Sequence, residues 1–363
     1  MTISDDGIVK VLVVDDSSFA RLSITKQLSS DPGIRIVGVA RDGIEALEKI
    51  KGLKPDVITL DVEMPRMGGL ETLERIMEEE PTPVVMLSSL TGKGAGITIR
   101  ALEVGAIDFF LKSSRATATG FFGLTDELNV KVKLAARVKA TRFKIAERNI
   151  DNRHQAEKAE RTAASRLCES DKVVVIGSST GGPAALYKLI PSLPDDLPAS
   201  VLVVQHMPPS FTRSLAERLD QLSPIEVREA RPGDRLNRGQ VLLAPGGYHM
   251  IVKNGDTVEL NREAPVMGLR PAVDVTMRSV ASVYGSETIG VVLTGMGSDG
   301  TKGAASIKAA GGEIIVQDAD TCVIYGMPRS VVESGNADKI MPLPQIPEEI
   351  ASMCHNGRET RED

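Results

Sequence analysis

Ser179 lies in Gly177-Ser178-Ser179-Thr180-Gly181, directly after the apolar run KVVVI and ahead of a helix expected to begin near Pro183. A G-x-S-x-G on a strand–turn–helix corner is what a nucleophile elbow requires. The glycines permit the sharp turn, and N–H groups at the helix start can hold an oxyanion. The same Gly/Ser-rich turn also suits a phosphate or a dinucleotide. His206 ends the next strand, in VVQHMPP, and is one of only four histidines. There it can serve as general base to the serine. Asp299, in LTGMGSDGT, follows a later strand and can orient the imidazole. Its other possible task is N-capping the helix expected over 301–310. At three strand ends of one region, Ser179, His206 and Asp299 point to acyl hydrolysis.

A second constellation sits earlier. Asp15 and Asp16 follow the first apolar run, Asp61 the third, and Lys112 the fifth. Singly, these acids would be read as helix or turn caps. Set at successive carboxyl ends of a doubly wound sheet, they converge on the crevice where such sheets bind ligands. Three carboxylates repel one another and need a cation; hard oxygen ligands suit Mg²⁺. Asp61 is then placed to act as a nucleophile forming an acyl phosphate. Ser88, ending the fourth strand, is placed to bond a phosphoryl oxygen.

The elements that must position these residues follow from periodicity. Short β-rich runs at Val9–Val14, Ile34–Ala40, 57–60, 84–87 and 109–111 alternate with helical spacing in Phe19/Leu22/Thr25/Leu28, Ile44/Leu47/Ile50, Leu70/Leu73/Ile76/Met77 and 97–104. Continuous apolar strands between amphipathic helices predict a five-stranded, doubly wound parallel α/β domain (flavodoxin-like). A helix over 128–145 closes it, and roughly 147–171 reads as a polar linker. A second series predicts strands at 172–176, 201–204, 241–244, 289–293 and 313–316, with helices at 184–189, Phe211–Leu222, 273–283 and 301–310. Between them, His249–Lys253 and 257–260 flank Asn254-Gly255, a hairpin signal. The second region is therefore expected to be a mostly parallel α/β sheet with an antiparallel hairpin. The expected divisions are 8–125, 126–171 and 172–354.

Composition narrows the classes. At roughly 150 residues per domain, 363 residues imply two or three domains. A net charge of −6 disfavours phosphate-driven binding to nucleic acid or an anionic membrane. Aromatics at 3%, with no Trp, disfavour base-stacking platforms. Cys168, Cys322 and Cys354 form no CxxC, so neither zinc nor a disulfide framework is expected, and a reducing compartment fits. The first residues are acidic where a signal peptide would be basic. No run approaches the ~20 apolar residues of a membrane span. A soluble, cytoplasmic protein is expected, with no membrane insertion.

At this level of detail the sequence resembles known families. VLVVDDSSFAR, LDVEMPRMGGLE, VVMLSSLTGKG and GAIDFFLKS, over residues 8–125, are similar to a response-regulator receiver domain. The resemblance implies Asp61 as phosphoacceptor, with Mg²⁺ held by Asp15, Asp16, Asp61 and the carbonyl of Glu63. It implies phosphoryl contacts from Ser88 and Lys112, Phe109 as switch aromatic, and a sensor histidine kinase as phosphodonor. One departure is Ser113, where receivers usually carry Pro. A non-proline cis bond costs about 2.5–4 kcal/mol, so the loop after Lys112 is expected to be trans and differently shaped.

The chain order Ser–His–Asp differs from the Ser–Asp–His of α/β-hydrolases. IGSSTGGPAAL, VVQHMPPSFT, LAPGGYHM, RPAVDVTMRS and VLTGMGSDGTKGA instead resemble the catalytic domain of the chemotaxis protein-glutamate methylesterase family, over about 172–350. That likeness implies a Ser179–His206–Asp299 triad, with Thr180 and Met296 as oxyanion or pocket residues and Tyr248-His249 near the pocket. It implies hydrolysis of glutamate γ-methyl esters on the cytoplasmic helices of chemoreceptors, and deamidation of receptor glutamines. The esterase step needs no metal. An unphosphorylated receiver covering the Ser179 cleft is the expected mode of control. Other readings are a non-enzymatic phospho-dependent binding module, a transcriptional regulator, disfavoured by the absence of a basic recognition helix, and the same esterase in a pathway other than motility.

Overall fold

The computed structural model describes residues 7–89, 92–112, 125–138, 172–253 and 256–355. The chain divides into two compact units, Met1–Ala146 and Glu147–Asp363. The expected linker, the far end of the helix expected over 128–145, Ser113 and the Asn254-Gly255 pair all lie outside the described residues.

In the first unit, β1 (Val9–Val14), β2 (Ile34–Ala40), β3 (Val57–Asp61), β4 (Val84–Ser88) and β5 (Asp108–Leu111) form one sheet in the order β2-β1-β3-β4-β5. Every pairing is parallel. Helices α1 (Ser18–Leu28), α2 (Gly43–Leu53), α3 (Gly69–Glu79), α4 (Gly92–Val104) and α5 (Thr125–Ala135) alternate with the strands. All residues of β3 and β4 are buried, as helices on both faces of a parallel sheet require. The strand order reverses between β1 and β3, so their carboxyl ends flank the crevice.

The helical face expected on α1 needs correction. Phe19 and Leu22 are 69% exposed, and Ile24 and Leu28 are the residues that enter the core. Apolar spacing marked the helix and its buried Leu28, but its first turns face outward and Ile24 takes the place expected of Phe19 and Leu22.

In the second unit, seven strands run in the order β14-β13-β12-β6-β7-β9-β8. They are β6 (Lys172–Ser178), β7 (Ala199–Gln205), β8 (Glu226–Glu229), β9 (Gln240–Leu243), β12 (Thr288–Val292), β13 (Glu313–Gln317) and β14 (Lys339–Met341). This sheet is wholly parallel. The antiparallel pair, β10 (His249–Lys253) with β11 (Thr257–Asn261), is a separate two-stranded sheet. The helices are α6 (Gly182–Leu189), α7 (Phe211–Leu222), α8 (Val273–Tyr284), α9 (Thr301–Ala309), α10 (Met327–Glu333) and α11 (Ile346–His355). Edge strands β8 and β14 and the last two helices were not expected; the strands and α10 are too short, at four, three and seven residues, to show a period. The order reverses between β6 and β12, placing the turns after these strands on either side of a switch point.

Candidate catalytic and phosphoacceptor sites

The Ser179–His206–Asp299 constellation is assembled by register. Ser178 on β6 pairs with Gln205 on β7, so Ser179 and His206 each stand one residue beyond adjacent strand ends. The Gln205 side chain then ties the two corners. Its Nε2 donates to the Ser179 carbonyl (3.0 Å) and the His206 carbonyl (3.1 Å), and its Oε1 accepts from Ser178 Oγ at 2.7 Å. This carboxamide is buried with both ends satisfied, as burial demands. Gly182 is required beside it, because a Cβ there would lie 2.0 Å from Gln205 Oε1. Sequence reasoning missed Gln205; its one signal is a polar residue in an otherwise apolar strand.

His206 Nε2 lies 2.8 Å from Asp299 Oδ2. The Asp299 carboxylate is 1% exposed and also accepts from the N–H groups of Val273 (2.7 Å), Asp274 (2.9 Å) and Gly300 (3.0 Å). Burial alone pushes this carboxyl up. The His206 hydrogen bond and charge, with the backbone donors, outweigh it and hold the group below the ordinary 3.8. Asp299 therefore caps α8, and the expected capping of the helix over 301–310 falls instead to Asp274. Asp274 Oδ1 accepts from Gly300 N (2.9 Å) and Gly303 N (2.8 Å) at the start of α9. Two buried carboxylates thus cap each other's helices. Asp274, missed from sequence, has no comparable cation and is pushed up by burial and by the Asp299 charge.

Ser179 is brought to this dyad by its main chain. Its N–H donates to Thr294 O (3.0 Å) and its carbonyl accepts from Gly182 N (2.8 Å), closing the elbow. Gly295 packs so closely that a Cβ there would sit 2.9 Å from Ser179 Cβ. The Ser179 hydroxyl makes no hydrogen bond to His206 among the contacts of this structure. With Nε2 on Asp299, Nδ1 is the ring atom left to face the serine. The Thr180 carbonyl accepts from Thr294 Oγ1 (3.1 Å). Met296 follows Gly295 and is 51% exposed at the rim. Tyr248 is half-buried, whereas His249 is buried and bonds the Ala264 carbonyl at 3.2 Å.

In the other unit, carboxylate oxygens of Asp15, Asp16 and Asp61 lie within 4.8 Å of one another. Lys112 Nζ bridges two of them, 2.8 Å from Asp15 Oδ2 and 2.6 Å from Asp61 Oδ1. Burial raises the Asp61 carboxyl to about 6 despite this lysine. The Lys112 ammonium, disfavoured by its own burial, is held up by the two aspartates. Arg21 Nη1 donates to the carbonyls of Asp15 (2.7 Å) and Asp16 (2.9 Å), fixing the loop that presents them. Ser88 is buried and hydrogen-bonded to Thr98 (2.8 Å). Phe109 is buried, with Lys131 Nζ 5.4 Å from its ring centre. Glu63 is exposed two residues past Asp61, and its side chain is not in the cluster. Hard oxygens crowded around too little positive charge fit a divalent cation.

Elsewhere, Cys322 and Cys354 are free, buried thiols pushed up to about 12 and about 11 by burial. No described helix is long and apolar enough to cross a membrane.

Residues 174–350 match the family described as CheB methylesterase, and residues 11–118 match the response regulator receiver domain. A relative from Symbiobacterium thermophilum, named protein-glutamate methylesterase/protein-glutamine glutaminase, is 52% identical over 356 residues, covering 96% of this chain and 98% of its own. One of the same name from Thermotoga maritima is 45% identical over 353 residues, covering 96% and 99%. The crystal structure of the Thermotoga maritima CheB methylesterase catalytic domain aligns at 49% identity and TM-score 0.49, covering 50% of this chain and 98% of that one. The chain belongs to the protein-glutamate methylesterase/protein-glutamine glutaminase family.

Proposed function

We propose that this protein hydrolyses glutamate γ-methyl esters on chemoreceptors, and deamidates their glutamines, under control of phosphorylation at Asp61. The observation that carries the reading is the buried His206–Asp299 pair, tied through Gln205 to the Ser179 elbow. Ser179 Oγ attacks the side-chain carbonyl while His206 takes its proton. Asp299, kept ionised by the His206 hydrogen bond and charge together with backbone donors, stabilises the imidazolium. His206 returns the proton to methoxide, releasing methanol, or to the amide nitrogen, releasing ammonia. Water activated by His206 then frees the glutamate. Amides in the turns that carry Thr180 and Met296 would receive the oxyanion.

Residues 8–125 form the switch, 126–171 the spacer and 172–354 the hydrolase. Asp15, Asp16, Asp61 and the Glu63 carbonyl would hold Mg²⁺. The ion supplies charge neutralisation for an incoming phosphoryl group. Asp61 accepts that group from a sensor histidine kinase, and Lys112 and Ser88 contact its oxygens. Phe109 reports the change. The free thiols of Cys322 and Cys354 suit a cytoplasmic setting.

The test is methanol release from methylated receptor membranes by the full chain, with and without a small phosphodonor. Ser179→Ala should abolish release, and Asp61→Asn should abolish its dependence on the phosphodonor. Undiminished release by Ser179→Ala overturns the reading.

A further inference from the structure

We infer that Arg262, seated on Tyr248 beside the turn that packs on the residues following His206 and braced by Arg270, is a specificity element. It recognises carboxylates flanking the glutamyl ester, so the preferred substrate is an acidic stretch of protein. The inference rests on the esterase reading and deepens it.

The placement follows from the sheet. Strand β9 lies beside β7, so the turn after β9 stands next to His206. Gly246 in that turn packs on the residues following His206: a Cβ there would lie 2.4 Å from the Pro208 carbonyl carbon and 2.4 Å from Pro209 N. Tyr248 leads from this turn into β10, and Arg262 follows the last residue of β11. The register pairs His249 with Asn261, so Tyr248 and Arg262 meet at the open end of the hairpin. The Arg262 guanidinium lies 4.6 Å from the Tyr248 ring centre, and its Nη2 donates to Tyr248 Oη at 2.6 Å. From the other side, Gly247 N donates to the Arg270 carbonyl at 3.0 Å. Arg270 Nη1 in turn holds the carbonyls of Arg262 (3.1 Å) and Glu263 (2.9 Å). Three residues beyond Arg270, Val273 N bonds Asp299 at 2.7 Å. The two arginines are thus rigidly connected to both His206 and Asp299.

The charges are what point to a ligand. Three other arginines of this unit are matched, Arg213 with Glu229, Arg228 with Asp234 and Arg329 with Glu333, while Arg231 and Arg278 are exposed with no ion pair to a described carboxylate. Neither Arg262 nor Arg270 forms an ion pair with a described carboxylate. Arg262 is exposed yet held against an aromatic ring and its hydroxyl. A pre-oriented planar fork matches a carboxylate better than a mobile ammonium does. The reaction makes carboxylates: each turnover turns an ester into a glutamate. A rim that binds neighbouring glutamates draws the enzyme to segments already partly demethylated. The protein as a whole is acidic, at −6, so this attraction is local and opposes the general field.

The full chain, supplied with a phosphodonor, is assayed on two synthetic peptides. Each carries one glutamate γ-methyl ester, flanked by Glu in one and by Gln in the other. Wild type should favour the acidic peptide in kcat/KM, and the preference should shrink as salt rises. Arg262→Gln should cut that preference roughly two- to fivefold, mostly through KM, and flatten the salt dependence. Arg262→Glu should reverse the preference. Tyr248→Phe, which removes only the hydroxyl that steadies the guanidinium, should act in the same direction more weakly. Lys308→Gln, which deletes a positive charge paired to Asp338 by a 2.5 Å contact elsewhere in the unit, should leave the preference intact. An active wild type whose preference and salt slope survive both Arg262 variants overturns the rim assignment alone. A wild type inactive on both peptides overturns the esterase reading, and the rim with it.

Discussion

Each unit places a buried aspartate at or beyond the carboxyl end of a parallel strand, and the two surroundings shift its carboxyl in opposite directions. Asp61 is walled in with a second carboxylate and has Lys112 as its chief counter-charge; burial wins, and its carboxyl rises from 3.8 to about 6. Asp299 is more deeply buried, yet three backbone N–H groups and the His206 ring surround it, and its carboxyl falls. The difference is one of donors, not of depth. A carboxylate fully satisfied by fixed dipoles is a permanent charge that can steady an imidazolium. One left short of positive charge is a vacancy for chemistry: it gains from a cation, which would also offset the further negative charge that an acyl phosphate brings. The first suits a catalyst that works unchanged each turnover, and the second suits a switch.

The largest expected effect separates the two sites. Ser179→Ala should lower methanol release by at least about 10⁴-fold while leaving phosphoryl uptake at Asp61 intact. Asp61→Asn should remove uptake and leave the basal esterase rate within a few-fold. Single-turnover phosphorylation with a small phosphodonor, set beside methanol release, checks both. A coupled loss in either variant would mean the sites are not separable.

Next come Asp299→Asn and Asp61→Asn as opposites in stability. In Asp299 each oxygen serves two donors, so an amide NH₂ on either side faces N–H groups it cannot accept from. Asp299→Asn should cost roughly 1.5–3 kcal/mol at neutral pH and lower kcat by up to about 10⁴-fold. Asp61→Asn should instead stabilise the cation-free protein above pH 7. Its charged form is disfavoured by roughly 3 kcal/mol on the rise from 3.8 to about 6, part of which Lys112 recovers elsewhere. The signs in pH are opposite too. The raised Asp61 favours folding when protonated, an advantage complete below 3.8 and lost as pH rises through about 6. The lowered Asp299 favours folding when ionised, an advantage present above 3.8 and lost as pH falls through its folded-state value. Chemical denaturation of wild type and both variants from about pH 2.5 to 8, without divalent cation, resolves the two. Parallel curves for both variants would break the contrast.

What the sequence made legible follows the same division. Residues at strand ends were visible because continuous β-rich runs fix where strands stop, and Asp15, Asp61, Lys112, Ser179 and His206 all sit there. The residues that set electrical state were not visible. Gln205 and Asp274 act through backbone groups far apart in sequence, such as Gly300 and Gly303 from Asp274, and no local spacing encodes those contacts. Asp299 was legible, but its bonds to the start of α8 were not, because α9 is adjacent in sequence while α8 is adjacent only in space. The α1 error has a similar cause: Phe19 and Leu22 recur at helical spacing but lie on the exposed side. The short edge strands β8 and β14 escaped because an edge has one partner and little burial to betray it.

Gln205 offers the finer test of how a dyad is kept in register with its nucleophile. Gln205→Met is close in volume but strips the donors to Ser179 O and His206 O and the acceptor for Ser178 Oγ. The loss of three contacts in a dry site should cost about 1–3 kcal/mol of stability. If the side chain only filled space, kcat would then follow folded fraction alone. If it sets the distance between the two corners, kcat on folded protein should fall about 10- to 100-fold, since small misplacements of a nucleophile and base are expensive. Gln205→Glu gives the complementary case: it keeps the shape and the acceptor, but places a charge against two carbonyl oxygens until protonated. Its activity should therefore recover partly as pH falls, while that of Gln205→Met should not. Thermal melts paired with esterase rates across pH distinguish the outcomes. Equal, folding-limited losses in both variants would reduce Gln205 to packing and leave the strand register alone to align Ser179 with His206.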